Sequence, residues 1–511
     1  MVYLSDKKNI GEIPVKNKKI LGLIVGIILI FAIMPYFIGN IAKKNVAELA
    51  KEISQIPGYS LEIRTYDQGW FTSRAVISYG FDEHTLNILG ASINEQEEFD
   101  KDTYEFLKDG FVFDITIAHG PVTFQNGVNF ALMSLSGTLQ DIDHPGYYAI
   151  KENNSLASIF DLFASVSYLG NINFTASIPA FKIDNASKMA EDENIKQVKM
   201  NFHGMNFQGN INSAIDEYTA SFNLSGLSFQ TSDASLSLKD IKGHADGYKV
   251  NELLWLGKGS TNLGHINFSE PIKNISFLIN DITSEYNLDK ESETALTMYF
   301  SAKVSDFISQ AIEVNNIIVD MNINHISLEA ITDYARSIQD SYQNLDDEMP
   351  TPEQTAANLQ IIAARIGEKI LKGSPEIIIN NFDFFMNDGV FKSDGKLSFD
   401  GSELENVAQL SDPLVLNKKL VVTSHITFDA ALAKAIATIG LKQQLTAGGM
   451  DMASMPPEQI DQMINTQVTT ALQTFINQGY LTQDGETYSL DLEVKDGVRL
   501  INGKSLAIPG M

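Results

Sequence analysis

One uncharged segment of 23 residues, 20–42, constrains this chain more than any other feature. As a helix rising 1.5 Å per residue it would be about 34 Å long, enough to cross a hydrocarbon core of about 30 Å. A buried helix of a globular protein would keep a polar side. A cleaved signal peptide has a shorter apolar region and a small-residue cleavage site. We therefore predict an uncleaved transmembrane anchor that includes Ile20, Leu21, Ile24, Ile28, Phe31, Pro35, Tyr36 and Ile41.

The lysines around this segment predict its orientation. Five of them precede it, at positions 7, 8, 16, 18 and 19, whereas only Lys43 and Lys44 follow directly. Cytoplasmic flanks are enriched in Lys and Arg. We therefore expect residues 1–19 to be a cytoplasmic tail and residues from about Lys43 to Met511 to lie on the outer side of the membrane.

The rest of the chain is acidic and contains no cysteine. The whole chain carries a formal charge of −27. Residues 1–44 contain seven Lys and two acidic residues, a charge of +5, so the remainder carries −32. Such a surface repels phosphate backbones, which argues against a nucleic-acid partner. The lack of cysteine excludes disulfides, thiolate metal sites and cysteine nucleophiles.

Hydrophobic patterning divides the remainder into a strand-rich and a mixed region. Residues 43–56 have helical spacing and predict a juxtamembrane helix that ends at Pro57-Gly58. In 57–302, short runs alternate apolar and polar residues between Gly, Asn, Asp and Ser, which is typical of antiparallel strands with one buried face.

The mixed region, 303–511, contains predicted helices as well as strands, packed on the same sheet system. We expect helices within 304–372 and 429–478. The first would carry Val304, Phe307, Ile308, Ala311 and Ile312, the second would be capped by Ser327, and the third would start at Thr351-Pro352 and stop at Gly373. Asp429 should cap a helix that ends at Gly440, and Gly479 should stop the last one. The fold class is therefore α+β, with an N-terminal transmembrane helix followed by large antiparallel β-sheets that carry helices on one face.

Three motifs resemble those of a known family, the YdgA-like proteins of Gram-negative envelopes, whose function is not established. The first motif runs from Tyr66 through Gly69, Trp70 and Phe71 to Ser73, the second is His119-Gly120-Pro121, and the third is the closing hairpin with Asn502 and Gly503. The chain departs from the family pattern at Gln68 and Thr72. The resemblance implies an inner-membrane anchor with a periplasmic body, and it supplies no catalytic residue or substrate.

No arrangement of residues in the sequence points to catalysis, a cofactor or a bound metal. The eight histidines are far apart and none begins a His-Glu-x-x-His motif. The segment Asp141 to Gly146 resembles a calcium loop, but Pro145 stands where an oxygen ligand is needed, so we expect a turn that ends a strand. His119 could be a ligand or a base, but a lone histidine at a strand end is more often structural.

Three functions remain open on sequence grounds. The first is a non-enzymatic envelope protein that binds or organises a partner, tethered to the lipid bilayer by its N-terminal helix. The second is a carrier of lipid or another apolar ligand in a groove of the sheet, by fold-level analogy with AsmA-like proteins. The third is an envelope enzyme of unknown reaction.

Overall fold

The computed structural model describes residues 33–44, 46–48, 50, 51, 54, 56, 58–83, 85–87, 104, 107, 108, 110–142, 145–184, 199–310, 312–343, 362, 364–447 and 456–505. Its described strands form one 22-stranded antiparallel sheet and a separate two-stranded hairpin. The first half of the chain supplies β1 (Tyr59–Gln68), β2 (Thr72–Phe81), β3 (Phe111–His119), β4 (Val122–Thr123), β5 (Asn129–Phe130), β6 (Met133–Leu139), β7 (Asp161–Val166), β8 (Ile172–Ile178), β9 (Phe181–Asp184), β10 (Lys199–Phe202), β11 (Met205–Ile211) and β12 (Glu217–Gln230). The second half supplies β13 (Ser235–Lys249), β14 (Trp255–Glu270), β15 (Ile275–Lys290), β16 (Ala295–Ser309), β17 (Glu313–Ser327), β18 (Glu376–Met386), β19 (Gly389–Phe399), β20 (Leu420–Asp429), β21 (Thr482–Asp484), β22 (Thr487–Lys495), β23 (Val498–Ile501) and β24 (Lys504–Ser505).

The large sheet is a meander in which strands pair with neighbours in sequence. From β1 the order is β2, β3, β6, β7 and β8, and then β11 through β20 and β22. Strands β9 and β10 extend β8 and β11, since β10 pairs with β9 on one side and β12 on the other. The hairpin of β4 and β5 stands apart, in the connection between β3 and β6.

Helices lie in the connections and at the start of the described chain. The longer ones are α1 (33–44, 46–48, 50 and 51), α2 (Pro145–Asn154), α3 (Leu328–Gln343), α4 (364–372), α5 (Pro413–Lys419), α6 (Ala430–Ala447) and α7 (Pro457–Gln478), and further helical residues stand at 83, 85–87, 104, 107, 108 and 362. Short 3-10 turns occupy Pro271–Lys273 and Val407–Ser411. No helix among these residues is both long and apolar enough to cross a membrane. Residues 20–32 of the predicted anchor lie outside the described residues.

One face of the sheet is predominantly apolar from β1 to β22. Because directly paired residues share a face, the strand register can be followed as a row from β1 to β22. One such row runs through Tyr66, Ala75, Ile115, Gly137, Leu162, Ala176, Phe207, Phe222, Gly243, Thr261, Ser284, Ala302, Val319, Phe382, Ser393, Ile426 and Leu490. We call this side, with its neighbouring rows, the apolar face.

The opposite side of the same strands is polar. Between β8 and β17 one of its rows consists of Thr175, Gln208, Ser221, His244, Ser260, Glu285, Ser301 and Asp320. Such strict alternation is expected of a sheet with one wet side, and it explains why the period-two signal is so strong in the sequence.

A crease crosses the six longest strands without reversing their faces. The pairing passes over one residue in each, namely Ser225, Asp240, Gly264, Asp281, Ser305 and Asn316. Asp240, Asp281 and Asn316 have φ of 55°, 48° and 50°, a left-handed conformation that Asp and Asn tolerate better than most residues.

The pairing beyond the crease shows that the apolar side continues. Val314 pairs with both Phe307 and Met386, and Met386 follows Phe382 on β18 in unbroken alternation. The Phe307 side chain therefore shares the apolar face with Phe382. The crease shifts the alternation by one residue in each strand and so keeps the apolar side chains together.

The structure confirms several predicted boundaries and corrects three. Ser327 caps α3 through its hydroxyl, Asp429 caps α6 by accepting from the Leu432 amide at 2.8 Å, and α7 ends at the left-handed Gly479. The predicted helix at 304–312 is wrong, because 304–309 belongs to β16 and β17 begins at Glu313. The helix after Asp429 passes Gly440 and ends at Ala447, and a helix, α2, follows Asp141 where a turn was expected. The capping motif at Thr351-Pro352 lies outside the described residues.

Candidate functional site

Helix α1 packs on the first strands of the sheet, at the beginning of the apolar face. Ile38 and Ala42 are buried against Ala75, Ile77 and Ile117 of β2 and β3. The other side of α1 is open, since Phe37 and Ile41 are 61% and 54% exposed. The described part of the predicted anchor, residues 33–42, therefore contacts the sheet along one side and leaves the other side free.

The first two motifs meet beneath this helix. His119, at the end of β3, places its Nε2 atom 2.9 Å from the Ser73 hydroxyl and its Nδ1 atom 3.2 Å from the Trp70 carbonyl oxygen. A second backbone carbonyl, that of Pro35 in α1, also faces the ring and favours its protonated form. Residues 46 positions apart are brought together because β2 and β3 pair in register, with Ser73 opposite Ile117.

These hydrogen bonds assign the proton on the imidazole ring. A carbonyl oxygen can only accept, so Nδ1 carries the hydrogen and Nε2 accepts from the Ser73 hydroxyl. Burial lowers the pKa of His119, with the Trp70 and Pro35 carbonyls opposing that shift. The ring is thus neutral at physiological pH.

A serine and a histidine at this distance resemble a nucleophile and its base. Both side chains, however, are buried beneath α1, and Ser73 has no exposed surface. Within the described residues no group of His, Asp and Glu could hold a metal ion. The geometry identifies the pair as part of the contact between the helix and the sheet.

Gly39 allows α1 to lie directly on the histidine ring. A Cβ atom at this position would be 2.5 Å from the Cε1 atom of His119 and 2.9 Å from Nδ1. At the next residue, the Gln68 side-chain amide donates to Asn40 Oδ1 at 3.2 Å. We call this contact the helix dock.

Aromatic rings extend the helix dock at both ends. The rings of Tyr36 and Trp70 are 5.2 Å apart, and Lys43 Nζ lies 5.7 Å from the ring centre of Tyr66. Burial raises the pKa of Tyr66. Every turn of α1 from Tyr36 to Lys43 therefore contacts a residue of the first two motifs.

The remaining motif positions have local structural roles. The Gly69 amide donates to the Thr72 carbonyl and so closes the β1–β2 turn, and the Gly120 amide donates to the Leu132 carbonyl. Phe71 is exposed, and the Pro121 carbonyl accepts from the Tyr168 hydroxyl. In the closing hairpin Asn502 and Gly503 have positive φ, and Asn502 Oδ1 accepts from the Asp491 amide at 2.8 Å.

The apolar face starts at the helix dock. The row that begins at Ser73 continues through Ile117, Leu135, Ala164, Phe174, Gly209, Ala220, Ala245, Gly259, Tyr286, Phe300, Met321, Ile379, Gly395, Ser424 and Leu492. Cross-strand rings cover several of its glycines. A Cβ atom on Gly259 would meet the Tyr286 ring at 2.6 Å, and one on Gly209 would meet the Phe174 ring at 2.4 Å.

Helices bury the two ends of this face more than its middle. At the start, α1 covers β2 and β3. At the far end, α6 and α7 enclose Tyr488 and Phe428, and Leu432 packs on Met386. Within the described residues, the buried clusters include no side chain of β8–β12. Farther along, Tyr286, Phe382 and Leu397 of the apolar face remain 44%, 39% and 40% exposed.

Sequence reasoning found the motif residues but missed their partners. Ile20, Leu21, Ile24, Ile28 and Phe31 lie outside the described residues. Pro35 is buried in the helix dock, whereas Tyr36 and Ile41 are about half exposed. Gly39, Asn40 and the continuous rows were not predicted, because their signal lies in strand register and helix placement.

Comparison of the sequence with known protein families assigns the chain to a family that has no described function. The sequence model of a family described as "Bacterial protein of unknown function (DUF945)" matches residues 17–509. No curated protein and no solved structure matches the chain. Because the match covers nearly the whole chain, this protein belongs to the DUF945 family of bacterial proteins of unknown function.

Proposed function

We propose that this chain is a membrane-anchored, non-enzymatic protein of the bacterial envelope that carries the acyl chains of lipids along its apolar face. The observation that carries the proposal is the predominantly apolar side of the sheet, which begins beside α1 and reaches β22. Of the functions that the sequence left open, the lipid carrier is the one that this geometry favours.

The extent of the face supports an apolar ligand. Its longest row crosses 17 strands, and at about 4.8 Å between strands it is about 77 Å long. Exposed apolar patches beyond a few hundred Å² mark binding sites on soluble surfaces. Tyr286, Phe382 and Leu397 are exposed large side chains on this face, so an acyl chain would gain burial there.

The envelope setting is supported by the N-terminal sequence. The apolar segment 20–42, the excess of lysine before it and the resemblance to YdgA-like proteins all support an inner-membrane anchor with the sheet on the periplasmic side. The helix dock would then hold the start of the apolar face next to the membrane that supplies the lipid.

Site-specific photo-crosslinking tests the proposal. A benzophenone amino acid replaces Tyr286 on the apolar face in one variant and His244 on the polar face in the other, two strands away. After irradiation of intact cells, mass spectrometry of the purified chain should find phospholipid adducts at position 286 and few at position 244.

Two results would refute the proposal of a lipid carrier. One is an equal, background-level yield of lipid adducts at both positions. The other is the absence of any co-purifying phospholipid from gently extracted protein. Protein adducts at position 286 without lipid adducts would favour a protein-binding role for this face.

A further inference from the structure

Three neighbouring connections at one end of the sheet contain no charged residue. They belong to the segments 68–73, 115–140 and 162–181, which together hold no Asp, Glu, Lys or Arg. The rest of the body is strongly acidic, with a formal charge of −32 beyond residue 44. The lack of charge is therefore a local property of this end of the sheet.

These connections are also adjacent in space. The His119 amide, at the end of β3, donates to the Phe71 carbonyl in the β1–β2 turn. The Tyr168 hydroxyl, in the β7–β8 turn, donates to the Pro121 carbonyl next to the β4–β5 hairpin. We call the β1–β2 turn, the β4–β5 hairpin and the β7–β8 turn the uncharged rim.

Large apolar side chains project from the uncharged rim into solvent. Phe124, Phe130 and Leu169 are 76%, 74% and 81% exposed. Trp70, Phe71, Val128 and Tyr168 are also about half exposed or more. Exposed Trp, Tyr and Phe without neighbouring charges are the composition of the membrane interface.

Helix α1 points toward this rim and connects it to the predicted anchor. Going backward along the chain, α1 contacts Tyr66 with Lys43, His119 with Gly39 and Trp70 with Tyr36. The described part of α1 therefore starts at the end of the sheet that carries the rim.

The length of the apolar segment indicates how close the end of the sheet lies to the hydrocarbon core of the bilayer. If helical, residues 20–32 would span only about 20 Å, against about 30 Å of hydrocarbon. A complete crossing needs residues to about Asn40, and these residues touch Trp70 and His119. The open side of α1, with Phe37 and Ile41, suits lipid contact.

We propose that the uncharged rim is seated in the interfacial layer of the bilayer, with Trp70, Phe124, Phe130 and Leu169 at the boundary between the lipid headgroups and the acyl chains. The inference rests on the anchor in the proposed function and adds a second membrane contact, made by the sheet itself. The apolar face then opens directly at the membrane surface.

The two tryptophans of the chain provide the test and its control. The full chain is reconstituted into vesicles of ordinary or brominated phospholipid, since bromine quenches a tryptophan that contacts lipid. The W255F variant reports on Trp70, and the W70F variant reports on Trp255, which lies eight strands along the sheet. We expect about a twofold loss of Trp70 emission in brominated vesicles, as for an interfacial aromatic residue, and no loss for Trp255.

Single cysteines supply an independent readout, because the chain has none of its own. An environment-sensitive fluorescent label at Val128→Cys or Leu169→Cys should report an apolar surrounding when the chain is in vesicles. The same label on the chain unfolded in urea, without lipid or detergent, should report water. The control is Leu414→Cys, a 71% exposed leucine on α5 far along the sheet, whose label should report water.

Vesicle flotation separates the two ways to fail. Chains that do not float with vesicles would overturn both the anchor and the rim. Chains that float while Trp70 is unquenched and the Val128 label reports water would overturn the rim alone. Lipid adducts at Tyr286 would still test the carrier in that case, because Tyr286 is far from the rim.

Discussion

Gly39→Ala should destabilise the helix dock, although alanine normally stabilises a helix. Alanine is favoured over glycine by about 1 kcal/mol in a helix interior. At this position, however, the new Cβ atom would lie 2.5 Å from His119 Cε1, well inside the usual carbon–carbon contact of about 3.5–4.0 Å. Either α1 retreats or the ring leaves its hydrogen bonds to Ser73 and Trp70.

The magnitude follows from these opposing effects. Overpacking costs about 1–3 kcal/mol, and a displaced hydrogen bond costs about 1 kcal/mol more. After subtracting the gain in helix propensity, we expect the free energy of local opening to fall by about 1–3 kcal/mol, or roughly 5- to 150-fold in the opening equilibrium.

Hydrogen exchange measured by mass spectrometry on the full chain in detergent is the assay, because it resolves local opening. Peptides from 58–83 and 110–142 should exchange faster in Gly39→Ala by that factor. The matched control is Gly440→Ala in α6, where a Cβ atom would meet nothing within 4 Å. This change should slow exchange of its own helix by about fivefold through propensity alone.

A double variant gives the sharpest check. In Gly39→Ala combined with His119→Ala, the ring that causes the clash is gone. The double variant should therefore lose less local stability than the two single variants lose together. Unchanged or slower exchange at β2 and β3 in Gly39→Ala would refute the dock as described. Strict additivity in the double variant would show that His119 is not the residue that Gly39 accommodates.

Two further predictions concern pH and the core. Burial lowers the pKa of His119 below its usual 6.5, so between the two pKa values the unfolded chain binds more protons than the folded chain. The helix dock should therefore keep full stability above pH 6.5 and lose stability as the pH falls through the lowered pKa. Hydrogen exchange of peptide 58–83, measured above and below this range, checks the loss, which His119→Asn should not show. Among the described residues, the groups that face the ring are the Ser73 hydroxyl and the Trp70 and Pro35 carbonyls, all of them uncharged, so we expect no carboxylate to offset the effect. Leu296→Ala should lower local stability by about 2–5 kcal/mol because Leu296 is fully buried. The exposed control, Leu414→Ala, should change stability by no more than about 0.5 kcal/mol. Equal thermal unfolding of the two variants would contradict the burial argument.

Local signals explain what the sequence could predict. The caps at Ser327, Asp429 and Gly479 depend on residues within one helical turn, and each was placed correctly. The alternation of apolar and polar residues likewise follows from one strand at a time. These features need no knowledge of which strands are neighbours.

The wrong helix at 304–312 has a physical origin in the crease. Val304 and Phe307 are three residues apart, as on one side of a helix, yet both lie on the apolar face of β16. The crease at Ser305 shifts the alternation between them. A spacing of three, produced by a fold line in a strand, is indistinguishable from helical spacing in the sequence alone.

The helix dock could not be predicted because it depends on long-range register. Ser73 and His119 were identified as motif positions, but nothing near either residue indicates that the other is 2.9 Å away. Gly39 likewise gave no signal, because its importance lies in the ring beneath it. The apolar segment around Gly39 predicted a membrane contact, and its apolar pattern gave no sign that the same residues also contact the sheet.

The meander has a consequence for how the chain acquires its structure. Nearly every strand pairs with the strand that precedes it in sequence, so each new strand finds a finished template as it emerges. Few long loops must close first, which removes the step that slows most large β proteins. The sheet can therefore lengthen outward from α1 during synthesis, and a chain stopped after β12 would already hold the helix dock and nearly half of the apolar face.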